Sequence, residues 1–280
     1  MAPASLSIAV VTHAPDERLL ARTLACLAGA IAFARRQGSL GTARLTLVDN
    51  GPKGLAHMLQ GLGEAALARA EGTQLTVISG HGNVGFGRGH NLALARADGE
   101  LHLILNPDVE MERDALDATL RYLAAHPEVG AVTPESHSPD GKREHLVKAY
   151  PSPGVLFVRG FVPRALHPLF RRALDAYELR HIDWDREQSP VTIASGCFLL
   201  CRRAVLDAVH GFDPGYFLYF EDFDLTLRMA KVATVAYLPQ ARIVHHGGEA
   251  AAKGFRHIAW FVRSAWRFFS THGWNARPTS

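Results

Sequence analysis

Residues 101–110 read "LHLILNPDVE": five mainly apolar positions that stop on Asn106-Pro107-Asp108. A short apolar run of this kind suits a strand buried on both faces. Pro107 has no N–H to give a sheet ladder, so it marks the point where the strand leaves the sheet. Asp108 then stands at the strand's C-terminal tip. Open α/β sheets take their ligands at such tips. The helical pattern "VEMERDALDATLRYL" follows at once, so Asp108 reads either as the cap of a helix over 112–125 or as a carboxylate presented to a ligand.

Working outward, strands and helices alternate through the first half. "LSIAVVT" (6–12) is a buried strand, and "DERLLARTLACLAGAIAFARRQ" (16–37) has helical spacing with acids at its start and bases at its end. "ARLTLVDN" (43–50) is a second strand closed by Gly51-Pro52, followed by a helix over roughly 55–70 and the strand "QLTVISG" (74–80). A glycine-rich loop, "HGNVGFGRGHN", then leads into a helix from about Asn91. Such alternation predicts an α/β fold with a mostly parallel sheet flanked by helices. Residues 134–190 are rich in Pro, His, Arg and Asp with weak periodicity, which predicts loops and short helices. Order returns with a strand and helix over 191–209, the strand "ATVAYLPQARIVHH" and a last helix over about 254–271. The simplest division is a domain over 1–250 and a C-terminal helix and tail over 251–280. Within the domain, 1–110 would bind a nucleotide and 111–250 would supply the acceptor and catalytic half.

Composition narrows the classes. Apolar content of 48%, charged content of 20% and a net charge of +3 describe a globular protein with no footprint for nucleic acid. The three cysteines, Cys26, Cys197 and Cys201, lie in apolar stretches and read as buried free thiols of a reducing compartment. "MAPASLSIAVVTHAP" lacks a basic leader, and no apolar run reaches the eighteen or so residues of a membrane span. A cytoplasmic protein is expected.

Several constellations could carry chemistry. Thr12-His13, Asp49-Asn50 and Asn106-Pro107-Asp108 end three strands that would share one sheet edge. The loop Gly82–Gly89 has neither the dinucleotide fingerprint nor the Walker spacing, but its glycines allow close approach and Arg88 offers charge. "YFLYFEDFDLTLRM" embeds Glu221, Asp222 and Asp224 among aromatic residues, where desolvation raises a carboxyl pKa and makes a better base. If a helix starts near Glu221, Asp224 pairs with Arg228, which leaves Glu221-Asp222 unexplained by helix structure. His245 and His246 end a strand and are either ordinary strand-end histidines or, beside Asp108, part of a divalent-metal site.

In this order the stretches resemble the family 2 glycosyltransferases of GT-A fold, and most of all their rhamnosyltransferase branch. The resemblance rests on "VVTHAPDERLLARTL", "LVDNGP", "GNVGFGRGHNLAL", "LILNPDVEM", "SGCFLLCRRAVLDAVHGFDPGYFLYFEDFDLTLRM" and "ARIVHHGGEAA", and covers most of 6–250. It implies that Thr12 and Asp49 hold the nucleotide and that Asn83, Gly85, Gly87, Arg88 and Asn91 line the nucleotide–sugar pocket. Asn106-Pro107-Asp108 would match the Asp-x-Asp motif, with Asp108 on a Mg²⁺ or Mn²⁺ that bridges the diphosphate and His245 as a further ligand. Asp222 of the Glu-Asp motif would be the catalytic base. The chain departs from the pattern at Asn106, where the family has an acid, at Glu249-Ala250-Ala251, where a serine often follows the histidines, and at His13, where relatives carry an aromatic.

The implied activity is inverting transfer of a sugar, L-rhamnose from dTDP-L-rhamnose in first place, to a hydroxyl of a glycan or lipid-linked glycan. Another hexose from a UDP or GDP donor and an inactive nucleotide-sugar-binding relative are the alternatives. A sugar nucleotidyltransferase would carry a Gly- and Lys/Arg-rich loop after the first strand, which "VVTHAPDERLL" lacks. In the last helix, Phe255, Ala259, Val262, Trp266 and Phe269 form a stripe beside Arg256, His257, Arg263 and Arg267. That stripe would pack on the domain or a second subunit, or lie on the inner face of the cell membrane.

Overall fold

The structure, a computed structural model, describes residues 2–51, 54–247 and 255–274. Pro52, the Glu249-Ala250-Ala251 departure and the boundary between 250 and 251 lie outside the described residues.

In chain order the strands are β1 (Ala4–Thr12), β2 (Leu40–Asp49), β3 (Thr73–Ile78), β4 (Leu101–Leu105), β5 (Val109–Met111), β6 (Val129–His137), β7 (Arg143–Glu144), β8 (Val147–Lys148), β9 (Ile193–Ala194), β10 (Phe198–Arg202) and β11 (Thr234–His245). The helices are α1 (Glu17–Arg36), α2 (Ala56–Leu67), α3 (Phe86–Leu94), α4 (Ala115–Ala125), α5 (Pro153–Phe161), α6 (Arg171–Tyr177), α7 (Arg203–Ala208), α8 (Glu221–Met229) and α9 (Phe255–His272).

The main sheet runs β3-β2-β1-β4-β10-β6-β11-β5. Its first four strands are parallel, so their C-terminal ends gather on one edge, and Thr12 is directly opposite Asp49. β10 enters antiparallel between β4 and β6, and joins the two halves of the chain in one sheet. The apolar run of β4 follows from burial on both faces. Leu103 and Leu105 pack with Leu20, Leu24 and Leu27 of α1, while Ile104 faces Leu199, Phe212 and Leu225. α1 is capped as its sequence suggests: Asp16 Oδ1 accepts from Leu19 N–H at 2.9 Å, and Arg35 and Arg36 close the last turn.

Three expectations change. After Asp108 the chain forms β5, which pairs antiparallel with β11, and α4 starts only at Ala115 behind Asp114. Asp108 is therefore no helix cap. α3 begins at Phe86 behind Gly85, so Asn91 sits within the helix and not at its start. Phe269 of the expected stripe is buried, but with Ser264 and Phe268 as its companions on the packed face, whereas Val262 and Trp266 of that stripe are 56% and 67% exposed. Phe268 and Phe269 join Tyr216, Phe220 and Tyr177 in one cluster, so α9 packs on α8 and its leading turn. The side chain of Phe255 lies outside the described residues.

Candidate active site

Three buried or half-buried groups converge at the tips of β4 and β10. Asn106 N–H donates to Cys197 O at 2.8 Å, which ties the end of β4 to the turn before β10. The Asn106 and Asp108 Oδ1 atoms are buried without a hydrogen-bond partner. Burial, above all, pushes the Cys197 thiol up to about 12, and the charges of Asp108, Asp222 and Glu144 add to it.

Asp108 faces β11. His245 Nε2 lies 3.5 Å from Asp108 Oδ1, and His245 Nδ1 lies 3.3 Å from Glu144 Oε2. Burial opposes charge on both partners, yet the two carboxylates outweigh it and lift His245 to about 9. Asp108 is likewise held below the usual range by His245 and His246 despite its burial. His246 has a different partner: its Nε2 is 2.7 Å from Glu110 Oε1, so His245 is the histidine turned to Asp108.

The Glu-Asp pair opens α8, as the aromatic-rich stretch suggested. Tyr219 and Phe220 just before it adopt φ of 71° and 65°, a left-handed backbone that is strained for bulky side chains. Packing holds that turn. Phe220 stacks on Phe261 and Phe268 of α9, Tyr219 OH lies 2.8 Å from His257 Nδ1, and Ser264 donates to Leu218 O at 2.8 Å. Asp222 Oδ2 accepts from Gly196 N–H at 3.1 Å and its Oδ1 from Phe223 N–H at 2.9 Å. Glu221 Oε2 is buried without a hydrogen-bond partner. Burial raises both carboxyls, and the adjacent Asp222 charge helps push Glu221 to about 8. The two backbone donors favour the ionised form of Asp222, so this pair places the charge on Asp222 and leaves Glu221 protonated at neutral pH. Asp224 is accounted for structurally by Arg228 at 2.7 Å and His272 at 2.8 Å.

A cavity of about 810 Å³ connects the end of β4 with the start of α8. Asn106, Glu221 and Asp222 line it, with Phe86, Leu156 and Arg159 of α3 and α5 and Phe261 of α9 on the other walls. Arg159, Tyr177 and Ser195 were not singled out by the sequence. Arg159 and Tyr177 sit on the short helices α5 and α6 and Ser195 in the turn between β9 and β10, and only the tertiary fold brings these segments to the cavity.

The nucleotide-side candidates fall into two groups. Thr12 is fully buried and donates to Val48 O at 3.2 Å, and Asp49 Oδ1 accepts from Gly51 N–H at 2.9 Å, both at the parallel strand tips. Asn83 and Arg88 are exposed, Asn83 accepting from Gly85 N–H and Arg88 Nε donating to Pro214 O. The glycines serve close contact within the protein. Gly85 has φ of 91°, and a Cβ there would lie 2.2 Å from Phe217 O; one on Gly87 would meet Phe212 at 2.9 Å. Asn91 clamps both backbone groups of Phe212, at 2.8 and 2.9 Å. Asn50, a strand-end residue with no role from sequence, secures the loop from the other side through Nδ2–H to Gly85 O at 2.8 Å.

Among the described residues, no three His, Cys, Asp or Glu side chains are arranged to hold a metal by themselves. Asp108 Oδ1, buried and held only by the long 3.5 Å contact to the His245 imidazole among the described residues, fits a cation whose remaining ligands come from a bound phosphate.

A sheet with parallel strand tips on one side, a carboxylate leaving β4 and a second acidic pair at the start of α8 defines a GT-A type transferase fold. The sequence model of the family described as Glycosyltransferase like family 2 matches residues 3–262, and the chain belongs to that family. It is 29% identical over 292 residues to the N-acetylglucosaminyl-diphospho-decaprenol L-rhamnosyltransferase of Mycobacterium tuberculosis, across 98% of this chain and 87% of that protein. Rhamnosyltransferase WbbL of Escherichia coli is 27% identical over 209 residues, 70% of this chain and 74% of its own. Among solved structures, the mannosyltransferase PcManGT from Pyrobaculum calidifontis, in complex with GDP-Man and Mn²⁺, superposes with a TM-score of 0.60. That match has 17% identity and covers 99% of this chain and 66% of the other.

Proposed function

We propose that the protein is a metal-dependent inverting glycosyltransferase that moves L-rhamnose from dTDP-L-rhamnose to a hydroxyl of a lipid-linked glycan in cell-surface polysaccharide synthesis. The observation that carries this reading is the placement of the Glu221-Asp222 pair and Asn106 in the lining of one cavity, with Asp222 fixed by the N–H groups of Gly196 and Phe223. Names of the rhamnosyltransferase relatives support the sugar and the diphosphate-linked acceptor.

In this reading Thr12 and Asp49 hold the nucleoside at the strand tips, and Asn83 and Arg88 reach it from the exposed side of the glycine loop. Gly85, Gly87 and Asn91 fix that loop against residues 212–217. Asp108 and His245 would hold Mg²⁺ or Mn²⁺, which when bound neutralises charge on the departing diphosphate. Asn106, whose side-chain carbonyl oxygen has no hydrogen-bond partner among the described residues, would interact with donor or cation at the cavity wall. Asp222 takes the acceptor hydroxyl proton onto its carboxylate as that oxygen attacks the anomeric carbon from the face opposite the diphosphate. Glu221 stays neutral and keeps a second negative charge away from the base. A single displacement without a covalent sugar–enzyme intermediate inverts the anomeric configuration.

Among the described residues no helix is long and apolar enough to cross a membrane. A cytoplasmic enzyme that meets its acceptor at the inner membrane face fits this reading.

Thermal shift tests the donor assignment. A metal-dependent rise in melting temperature with dTDP-L-rhamnose, lost in Asp108→Ala, is expected. An equal rise in that variant, or a rise with UDP- or GDP-sugars only, would overturn the assignment.

A further inference from the structure

A second cavity, of about 420 Å³, adjoins the first and shares Arg159, Tyr177, Ser195 and Phe223 with it. Its lining is cationic. Arg143, Lys148, Arg159 and Arg180 face Glu144 and Glu178, and burial, first of all, keeps His145 below its ordinary pKa and so neutral.

The cations differ in how fully they are used. Arg143 is taken up by Glu135 and Asp185, each at 2.6 Å, and Arg180 by Glu178 at 2.7 Å. Glu144 turns to His245 at 3.3 Å. Arg159 is held less firmly, by a loose contact of 3.8 Å with Glu178 and by the ring of Tyr177, whose centre is 5.3 Å away. Lys148 has neither a hydrogen bond nor an ion pair within 4 Å among the described residues; it lies 5.9 Å from the ring of Tyr177, and Glu178 and Glu144 attract it from further off.

Strand periodicity explains how it came to be there. Val147 is buried in the core, so Lys148 on β8 must take the opposite face, half-buried at the cavity. Burial, above all, and the neighbouring Arg159 push Lys148 down to about 8. A half-buried ammonium with no carboxylate in direct contact among the described residues, beside a second cation only loosely paired, is what an anionic ligand would stabilise.

We propose that this cavity is an acceptor subsite in which Lys148 and Arg159 bind the diphosphate of a lipid-linked glycan. The proposal deepens the transferase reading and rests on it. The shared wall sets the acceptor's orientation: its hydroxyl lies at Asp222 in the larger cavity, and the diphosphate at its reducing end extends past Arg159 to Lys148. The donor diphosphate is held elsewhere, at Asp108 and His245. Leu146 and Phe223 in the lining of the smaller cavity suit the start of the hydrocarbon chain beyond the diphosphate.

Geranyl diphosphate serves as the probe, titrated calorimetrically in EDTA so that no cation-dependent donor site contributes. Wild type should bind it more tightly than inorganic pyrophosphate. Lys148→Met and Arg159→Gln should each weaken it by about tenfold or more, the loss expected for one charge-assisted hydrogen bond. Binding of dTDP with Mn²⁺ should be unchanged in Lys148→Met, which also reports that this variant is folded. No binding by wild type, or equal binding by Lys148→Met, overturns the subsite. An equal loss of dTDP affinity in Lys148→Met overturns it too, because the cations would then serve the donor. Pyrophosphate binding as tightly as the geranyl compound removes the lipid from the proposal. Absence of nucleotide binding in wild type would count against the transferase reading alone, because the geranyl measurement uses neither nucleotide nor metal.

Discussion

Replacing Glu221 by Gln should make the protein more stable as pH rises, relative to wild type. Glu221 is buried beside Asp222, and burial together with that charge lifts it from 4.5 to about 8. Its folded pKa is therefore above its unfolded one. The stability it contributes is complete below about pH 4.5 and is lost as pH rises through about 8. At 1.36 kcal/mol for each pH unit, the whole effect reaches roughly 5 kcal/mol, of which about 3 kcal/mol is already lost at pH 7. Gln cannot ionise and escapes that loss. Urea unfolding at pH 5, 7 and 8.5 would show the difference between variant and wild type growing in favour of the variant. A protonated carboxyl and an amide have nearly the same shape, so Glu221→Gln should also keep most of the transfer activity. A stability difference that does not change between pH 5 and 8.5 would refute the assignment of a neutral carboxyl to Glu221.

The remaining predictions concern the supports of the site. Gly85→Ala forces a Cβ against Phe217 O at a φ of 91°, and urea unfolding should register a loss of about 3 kcal/mol or more; a loss below about 1 kcal/mol would mean the loop relaxes freely. Phe268→Ala empties a fully buried position under the strained turn and should cost about 3–5 kcal/mol by the same assay. Trp266→Ala, on the exposed face of α9, should stay within about 0.5 kcal/mol. Equal losses for these two would contradict the packing of α9.

The first half of the fold was readable because its strands are long, apolar and bounded by Gly, Pro and Asp. The second half was less so. β7, β8 and β9 are two residues each and carry no periodicity, which hid Glu144 and Lys148. Asp108 left two readings because a three-residue edge strand, β5, stands between it and α4, too short to show as alternation. The Glu-Asp pair was legible from its apolar surroundings, and the start of α8 at Glu221 agrees with the expected Asp224–Arg228 pair. The glycine loop drew notice as a ligand cradle, whereas its glycines and Asn91 make contact with residues 212–217. Sequence spacing identifies close approach without saying to what. The faces of α9 misled for a related reason: nearly every turn carries an aromatic, so the periodicity alone could not select Phe268 over Trp266.

The most direct measurement compares wild type and Asp222→Asn for transfer from dTDP-L-rhamnose to a diphosphate-linked acceptor with Mn²⁺ and saturating donor. If Asp222 is the base, turnover falls by about 10²–10⁴ while the dissociation constant for the donor stays within about twofold. Turnover of the variant near that of wild type would contradict the account.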